Sequence, residues 1–177
     1  MARDLDPELW ETIQASVPIF CVDVLPIRPA VGTEARDGGI ELGLILRNTP
    51  DQGSRWCTIG GRLELDESIE AAVSRELAAA VGDGLEPIAG LADPEPLIVE
   101  YGRRPAPGAA YDLRKHAVSL THPRWLDGEP SVRGEEAEAF RWWRLPDLDG
   151  SVMGFGQESL LPRIAEAVGA ASGVRAR

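Results

Sequence analysis

In GGRLELDESIEAAVSRELAAAVG, residues 60–82, Glu67, Arg75 and Glu76 are spaced to act on a charged ligand. Seven residues separate Glu67 from Arg75, so a helix brings the two together after about two turns, and their ion pair pins the preceding loop to the helix. Gly61 permits a tight turn ahead of that loop, and Gly82 is a natural helix stop. Glu76 adds a carboxylate beside Arg75. One carboxylate holds a hydrated ion weakly unless substrate phosphates and other protein oxygens complete the shell.

Further candidates lie later in the chain. Arg103 and Arg104 precede a Pro/Gly/Ala segment and either close over a ligand's phosphates or stand on a solvated hairpin tip. His116 and His122, the only histidines, share strand parity, and either suits a general base or a plain polar-face position. The acidic run GEEAEAF, with Glu135, Glu136 and Glu138, reads as a solvated loop or as a replacement cage for a cation. Trp142 and Trp143 project to opposite faces of one strand, so one enters the core and the other stacks on a base or packs under the terminal helix.

Gly61, Glu67, Arg75, Glu76, Leu77 and Gly82 together resemble the Nudix box, G-x5-E-x7-R-E-U-x-E-E-x-G-U with U aliphatic, of the Nudix hydrolase superfamily. The sequence departs from the box at Ala79 and Ala80, where it has glutamates, and at Asp83, where it has an aliphatic residue. In the family the three glutamates at i, i+3 and i+4 share one helix face and cage a magnesium ion. A strand ending in Arg47-Asn48 and the late run FRWWRLPDL extend the resemblance over roughly residues 18–170.

Within the superfamily the chain looks most similar to the GDP-mannose mannosyl hydrolase branch. That resemblance implies phosphate-binding arginines at Arg47 and Arg62, a metal-binding carbonyl at Gly60 and a late-loop metal ligand at Glu136, or at Glu135 or Glu138 if the match slips by a residue. The branch's catalytic histidine falls on Ala137. The implied activity is hydrolysis of a nucleoside diphosphate linked to a sugar or similar group, with Glu76 and Glu136 as catalytic and metal-binding carboxylates and Arg103 joining the substrate-binding arginines. Magnesium or manganese would bind weakly or together with the substrate, so ordinary pyrophosphohydrolysis is expected to be weak. The alternative is a catalytically silent module that binds a nucleotide or sugar nucleotide, and a third reading is an interaction protein built on the same scaffold.

The elements that must position these residues follow from pattern. DPELWETIQAS reads as a short helix capped by Asp6 with Pro7 in its first turn, burying Leu9, Trp10 and Ile13. PIFCVDVLPI and IELGLILRN read as neighbouring strands, and RWCTIGG as a third that ends at the glycine pair. Residues 67–81 read as a helix burying Ile69, Val73, Leu77 and Val81. PLIVEYGR and KHAVSLTH are strands flanking a mobile tip or lid over 103–112, and EAFRWWRLPDL is a strand running into a turn. A closing helix buries Leu160, Leu161, Ile164 and Val168 ahead of a frayed tail, 171–177. This order implies an α+β fold, the Nudix fold, with a mixed sheet sandwiched between helices as α/β/α layers.

The 177 residues suit one domain, and 44% apolar content gives it a core. A net charge of −11 repels nucleic-acid polymers, so the expected partner is a small phosphate-bearing molecule. Two cysteines without metal-type spacing, an acidic start and no membrane-length apolar run point to the cytoplasm. A homodimer remains open.

Overall fold

Val22, Val24, Leu25 and Ile27 leave both faces of β1 (Ile19–Pro29) apolar, and such a strand is stable only inside a sheet covered on both sides. The structure, a computed structural model, describes residues 5–30, 39–132 and 137–171. In it β1 runs parallel to β7 (Ala117–Gly128), with Asp23 opposite Thr121 and Cys21 opposite Ser119. The other edge of β1 is shared, first by β4 (Ile59–Arg62) and then by β2 (Ile40–Thr49), both antiparallel. The outer edge of β7 is divided in the same way between β6 (Leu97–Tyr101) and β5 (Leu85–Pro87). β3 (Gly53–Cys57) and β8 (Ala139–Arg144) pair with β2 and complete a mixed sheet.

Two prolines inside the central strands fit this division. Pro26 lies between the β4 pairing, which ends at Val24, and the β2 pairing, which begins at Ile27. Pro123 lies between the β6 pairing, which ends at Thr121, and the β5 pairing, which begins at Leu126. A residue without an N–H is tolerated where the ladder changes partner.

Helices cover both faces. α2 (Ile69–Val81) packs Ala72, Val73, Ala80 and Val81 into a cluster with Val22, Val24 and Ile59. On the other face α1 (Pro7–Ser16) and α3 (Leu161–Ala171) join a cluster holding Leu25, Ile27, Leu42, Leu44 and Leu160. The expected α+β fold with α/β/α layering is therefore present.

Several boundaries differ from the sequence reading. The helix expected over 67–81 begins at Ile69, because the Ser68 hydroxyl caps it by accepting from the Ala71 N–H at 3.2 Å. Its buried face is rotated toward Ala72, Glu76 and Ala80, leaving Ile69 and Leu77 half-buried. Leu9 is exposed, since α1 meets the sheet through Trp10 and Ile13 alone. RWCTIGG is split at Thr58 into β3 and β4. Trp142 and Trp143 both pack, one in each cluster, and Trp143 meets Trp56 edge to face at 5.4 Å. Leu161 is only half-buried, and Pro162 sits in the first turn of α3, where its missing N–H costs nothing. Residues 172–177 of the expected tail lie outside the described residues.

Candidate functional site

Gly60 and Gly61 do not make a turn; they lie inside β4. Side chains of a strand alternate between faces, so the two glycines look at opposite sides of the sheet. A Cβ on Gly60 would stand 2.2 Å from Asp23 Oδ1 and 2.6 Å from the Val22 carbonyl oxygen. A Cβ on Gly61 would stand 2.2 Å from Glu76 Oε1. Each glycine thus makes room for one carboxylate, Asp23 on one face and Glu76 on the other.

On the α2 face the loop-to-helix pin forms as expected. Arg75 donates from Nε to Glu67 Oε1 and from Nη2 to Glu67 Oε2, both at 2.8 Å, and Nη2 also reaches the Arg62 carbonyl at 3.1 Å. Its Nη1 donates to Glu76 Oε1, so one guanidinium serves both carboxylates and the end of β4. The Arg75 contact, with a backbone N–H donated by Glu64, holds the Glu67 carboxyl down at about 2. A depressed folded-state pKa stabilises the protein fully above the usual carboxylate value of 4.5, and the contribution disappears as pH falls toward about 2. Glu67→Gln should therefore flatten the fall in melting temperature across that acid window and destabilise the protein by about 1–3 kcal/mol at neutral pH. An unaltered acid limb in a pH series of thermal melts would mean that the pair contributes nothing.

On the opposite face a pocket opens over β1, β4 and β7, enclosing about 470 Å³ of atom-free space that includes solvent at its mouth. Its floor is polar and buried. Tyr101 Oη donates to Asp23 Oδ2 at 3.1 Å, and Thr121 Oγ1 contributes a longer contact at 3.4 Å. Gln157 Nε2 donates to Tyr101 Oη at 3.0 Å and to Thr58 Oγ1 at 2.8 Å, while its Oε1 accepts from the Thr58 N–H at 3.0 Å. Burial pushes the Asp23 carboxyl up, against the pull of the surrounding hydroxyls and of Lys115.

Cations stand around this floor. Arg114 is neutralised by Asp112 through a two-pronged contact at 2.9 and 2.8 Å. Arg47 and Lys115 also line the pocket, and among the described residues neither has a carboxylate within ion-pair distance. Arg47 Nε is buried without a hydrogen-bond partner. Cys21 and Cys57 line the pocket as well, but burial raises both thiols, Cys57 to about 11, which keeps them protonated and poorly nucleophilic.

The expected residues divide between the two faces. Arg47, Gly60 and Gly61 line the pocket, whereas Glu67, Arg75 and Glu76 gather on α2. Arg62 lies opposite Cys21 by register, on the pocket face, with its guanidinium 5.1 Å above the Trp10 ring. Arg103 and Arg104 are exposed and outside the pocket lining. The segment expected as a lid is exposed over 103–109, but Ala110, Tyr111 and Asp112 are buried, with the Tyr111 N–H donated to the Phe155 carbonyl at 2.7 Å. Gly82 ends α2 with φ at +65°, a conformation glycine adopts without strain.

The histidines do not join either group. His116 faces Glu100 at 3.3 Å, and His122 is buried beside Arg124, held neutral by burial and by that cation. Glu135 and Glu136 lie outside the described residues; Glu138 accepts from Ser54 at 3.1 Å. Ala137 is buried in the same cluster as Ala80. Asp23, Ser119, Tyr101, Lys115 and Gln157 were not singled out by sequence reasoning. A lone charge inside the apolar run CVDVL was the available signal for Asp23.

Solved structures share this architecture. A protein of Jonesia denitrificans described as a possible asymmetric diadenosine tetraphosphate hydrolase is 24% identical, with a TM-score of 0.65 over 92% of this chain and 99% of that one. The Nudix domain of Shewanella oneidensis NrtR, solved with ADP ribose, is 17% identical, with a TM-score of 0.60 over 93% and 94%. A bifunctional NMN adenylyltransferase/ADP ribose pyrophosphatase of Francisella tularensis, complexed with AMP and a manganese ion, is 18% identical, with a TM-score of 0.66 over 90% of this chain and 44% of that one. At these identities the likeness establishes the Nudix fold. No curated protein matches the sequence. Residues 2–153 match the family described as "Domain of unknown function (DUF4916)", and the chain, a Nudix fold in structure, belongs to that family.

Proposed function

We propose that this chain binds a small phosphate-bearing molecule, a nucleoside diphosphate linked to a sugar or similar group, and that its ordinary pyrophosphohydrolysis is weak. The observation that carries the reading is that two cations, Arg47 and Lys115, line one pocket with no carboxylate at ion-pair distance among the described residues, in a protein whose net charge is −11. Keeping two such charges together costs free energy that an anionic ligand offsets. Proteins of this fold were solved with ADP ribose, a nucleoside diphosphate linked to a sugar, and with AMP, a smaller phosphate-bearing nucleotide. The resemblance to the GDP-mannose mannosyl hydrolase branch rests on Arg47, Gly60, Gly61 and Arg62, and it favours a nucleotide sugar as that ligand. Acting as one domain in the cytoplasm accords with two buried, free thiols.

The described residues do not by themselves fit a divalent cation. Glu76 is the one remaining carboxylate of the three that share the box helix face in the family, and Arg75 already engages it. Ala79 is exposed, Ala80 is packed in the core, and among the described residues no three of His, Cys, Asp and Glu gather as metal ligands. Any hydrolysis would need Glu76 together with Glu135, Glu136 or Glu138.

Arg47→Ala and Lys115→Ala should each weaken ADP-ribose or nucleotide-sugar binding by about 1–3 kcal/mol, the loss of one charge-assisted hydrogen bond, in calorimetric titrations. Unchanged affinity in both would place the site elsewhere. A magnesium-dependent screen of nucleoside triphosphates, dinucleotides, ADP-ribose and nucleotide sugars should give little turnover. Robust turnover that survives Glu76→Gln with loss of all three late glutamates would overturn the assignment of those carboxylates.

A further inference from the structure

The floor of the pocket carries polar groups that binding a phosphate does not use. Asp23 is 8% exposed and Ser119 1% exposed. Gln157 is oriented by the Thr58 N–H, which occupies its Oε1, so its amide nitrogen must face Tyr101 Oη. The Tyr101 hydroxyl, accepting from that nitrogen, sends its own proton to Asp23 Oδ2. The chain of bonds thus has a fixed direction that starts from a backbone N–H, and with the Thr121 hydroxyl it satisfies Oδ2.

Asp23 Oδ1 is left over. It points to the space that Gly60, lacking a side chain, keeps open, and the Tyr101 and Thr121 hydroxyls both go to Oδ2 instead. Ser119 Oγ, diagonal to it on the adjacent parallel strand, is buried without a hydrogen bond of ordinary geometry, its hydroxyl lying only near enough to the Asp23 carboxylate to pull that group down. A hydroxyl and a carboxylate oxygen so incompletely bonded at this depth are costly, and such groups persist where a ligand completes them.

We propose that Asp23 Oδ1 and Ser119 Oγ form a specificity subsite that accepts an N–H or O–H donor from the part of the ligand beyond its phosphates. The subsite rests on the binding reading above: the rim cations take the anionic end, and the floor selects what is attached to it. A bare anion satisfies the rim alone. A nucleobase amino group and a sugar hydroxyl both supply the donor.

Asp23→Asn is the informative variant. The Tyr101 and Thr121 hydroxyls hold the amide oxygen in the place of Oδ2, so the NH2 group takes the place of Oδ1 and turns the one available acceptor into a donor. Calorimetric titration should show ADP-ribose binding to Asp23→Asn weakened about tenfold or more and to Ser119→Ala by less, with pyrophosphate binding the same to all three proteins. Ribose 5-phosphate carries hydroxyls without a base, and 2′,3′-dideoxy-AMP a base without the ribose 2′- and 3′-hydroxyls. Whichever loses affinity in Asp23→Asn identifies the donor.

If Asp23→Asn and Ser119→Ala both bind ADP-ribose as the unaltered protein does while pyrophosphate still binds, the subsite is overturned. Should no anion bind the unaltered protein, the phosphate reading fails by itself, and uncharged adenosine tests the floor directly. It should then shift the Thr58 backbone amide resonance in the unaltered protein and leave it in place in Asp23→Asn. An adenosine-insensitive Thr58 resonance in that setting would overturn the subsite too.

Discussion

Gly60→Ala should cost about 3 kcal/mol or more, at the upper end of overpacking losses, which for a protein of this size lowers the melting temperature by roughly 6–12 °C. The added methyl would meet the Val22 carbonyl and the Asp23 Cα as well as the Asp23 carboxylate, and backbone atoms inside a central strand cannot step aside. Ligand binding should fall with stability, because the same methyl occupies the space beside Asp23 Oδ1. Gly61→Ala is the contrasting case, since its three nearest neighbours are all atoms of the Glu76 carboxylate. Its loss should be largely recovered in Gly61→Ala/Glu76→Ala, where the obstructing group is gone and Arg75 keeps Glu67 as partner. Differential scanning calorimetry of the four proteins decides the matter: a double variant no more stable than Gly61→Ala would assign the cost to strand register rather than to the carboxylate.

Ala80→Glu, the change that restores one box glutamate, should destabilise the protein by about 3–5 kcal/mol at neutral pH, the usual cost of an uncompensated buried charge. Ala80 is 2% exposed and packs with Ala72, Val81 and Ala137. Glu76, one turn away on the same face, would repel the new carboxylate further. Both effects raise the pKa of the introduced group, so the deficit should be widest above the ordinary glutamate range and narrow as pH falls through it. Thermal melts at several pH values, with and without Mn2+, measure this. A variant as stable as the parent, or one stabilised by Mn2+ beyond it, would show that the site lies one residue from holding a metal and would reverse the conclusion on fit.

Sequence periodicity carried much of the architecture. The apolar runs CVDVL and LGLIL, the helix-forming run from Ile69 to Val81, and the Glu67–Arg75 spacing are local patterns whose physical consequences act within a few residues. They predict the layers, the loop pin and the helix stop, and all three are present. Even the helix start was off by two residues only because Ser68 offers a cap that periodicity does not register.

What each face holds was decided by pairing between distant segments. The antiparallel match of Asp23 with Gly60 turned an apparent glycine turn into a strand, with one glycine serving each carboxylate. The parallel match of Cys21 with Ser119 and of Asp23 with Thr121 joined strands 98 residues apart into a single pocket floor. Nothing in either segment alone signals the other, because a hydrogen-bond register is a property of two strands and a slip of one residue would send every side chain to the opposite face. Residue types and spacings therefore determined which groups could act. Only the assembled sheet decided that Glu76 would be engaged by Arg75 on one side while Asp23 and Ser119 would stand buried and incompletely bonded on the other.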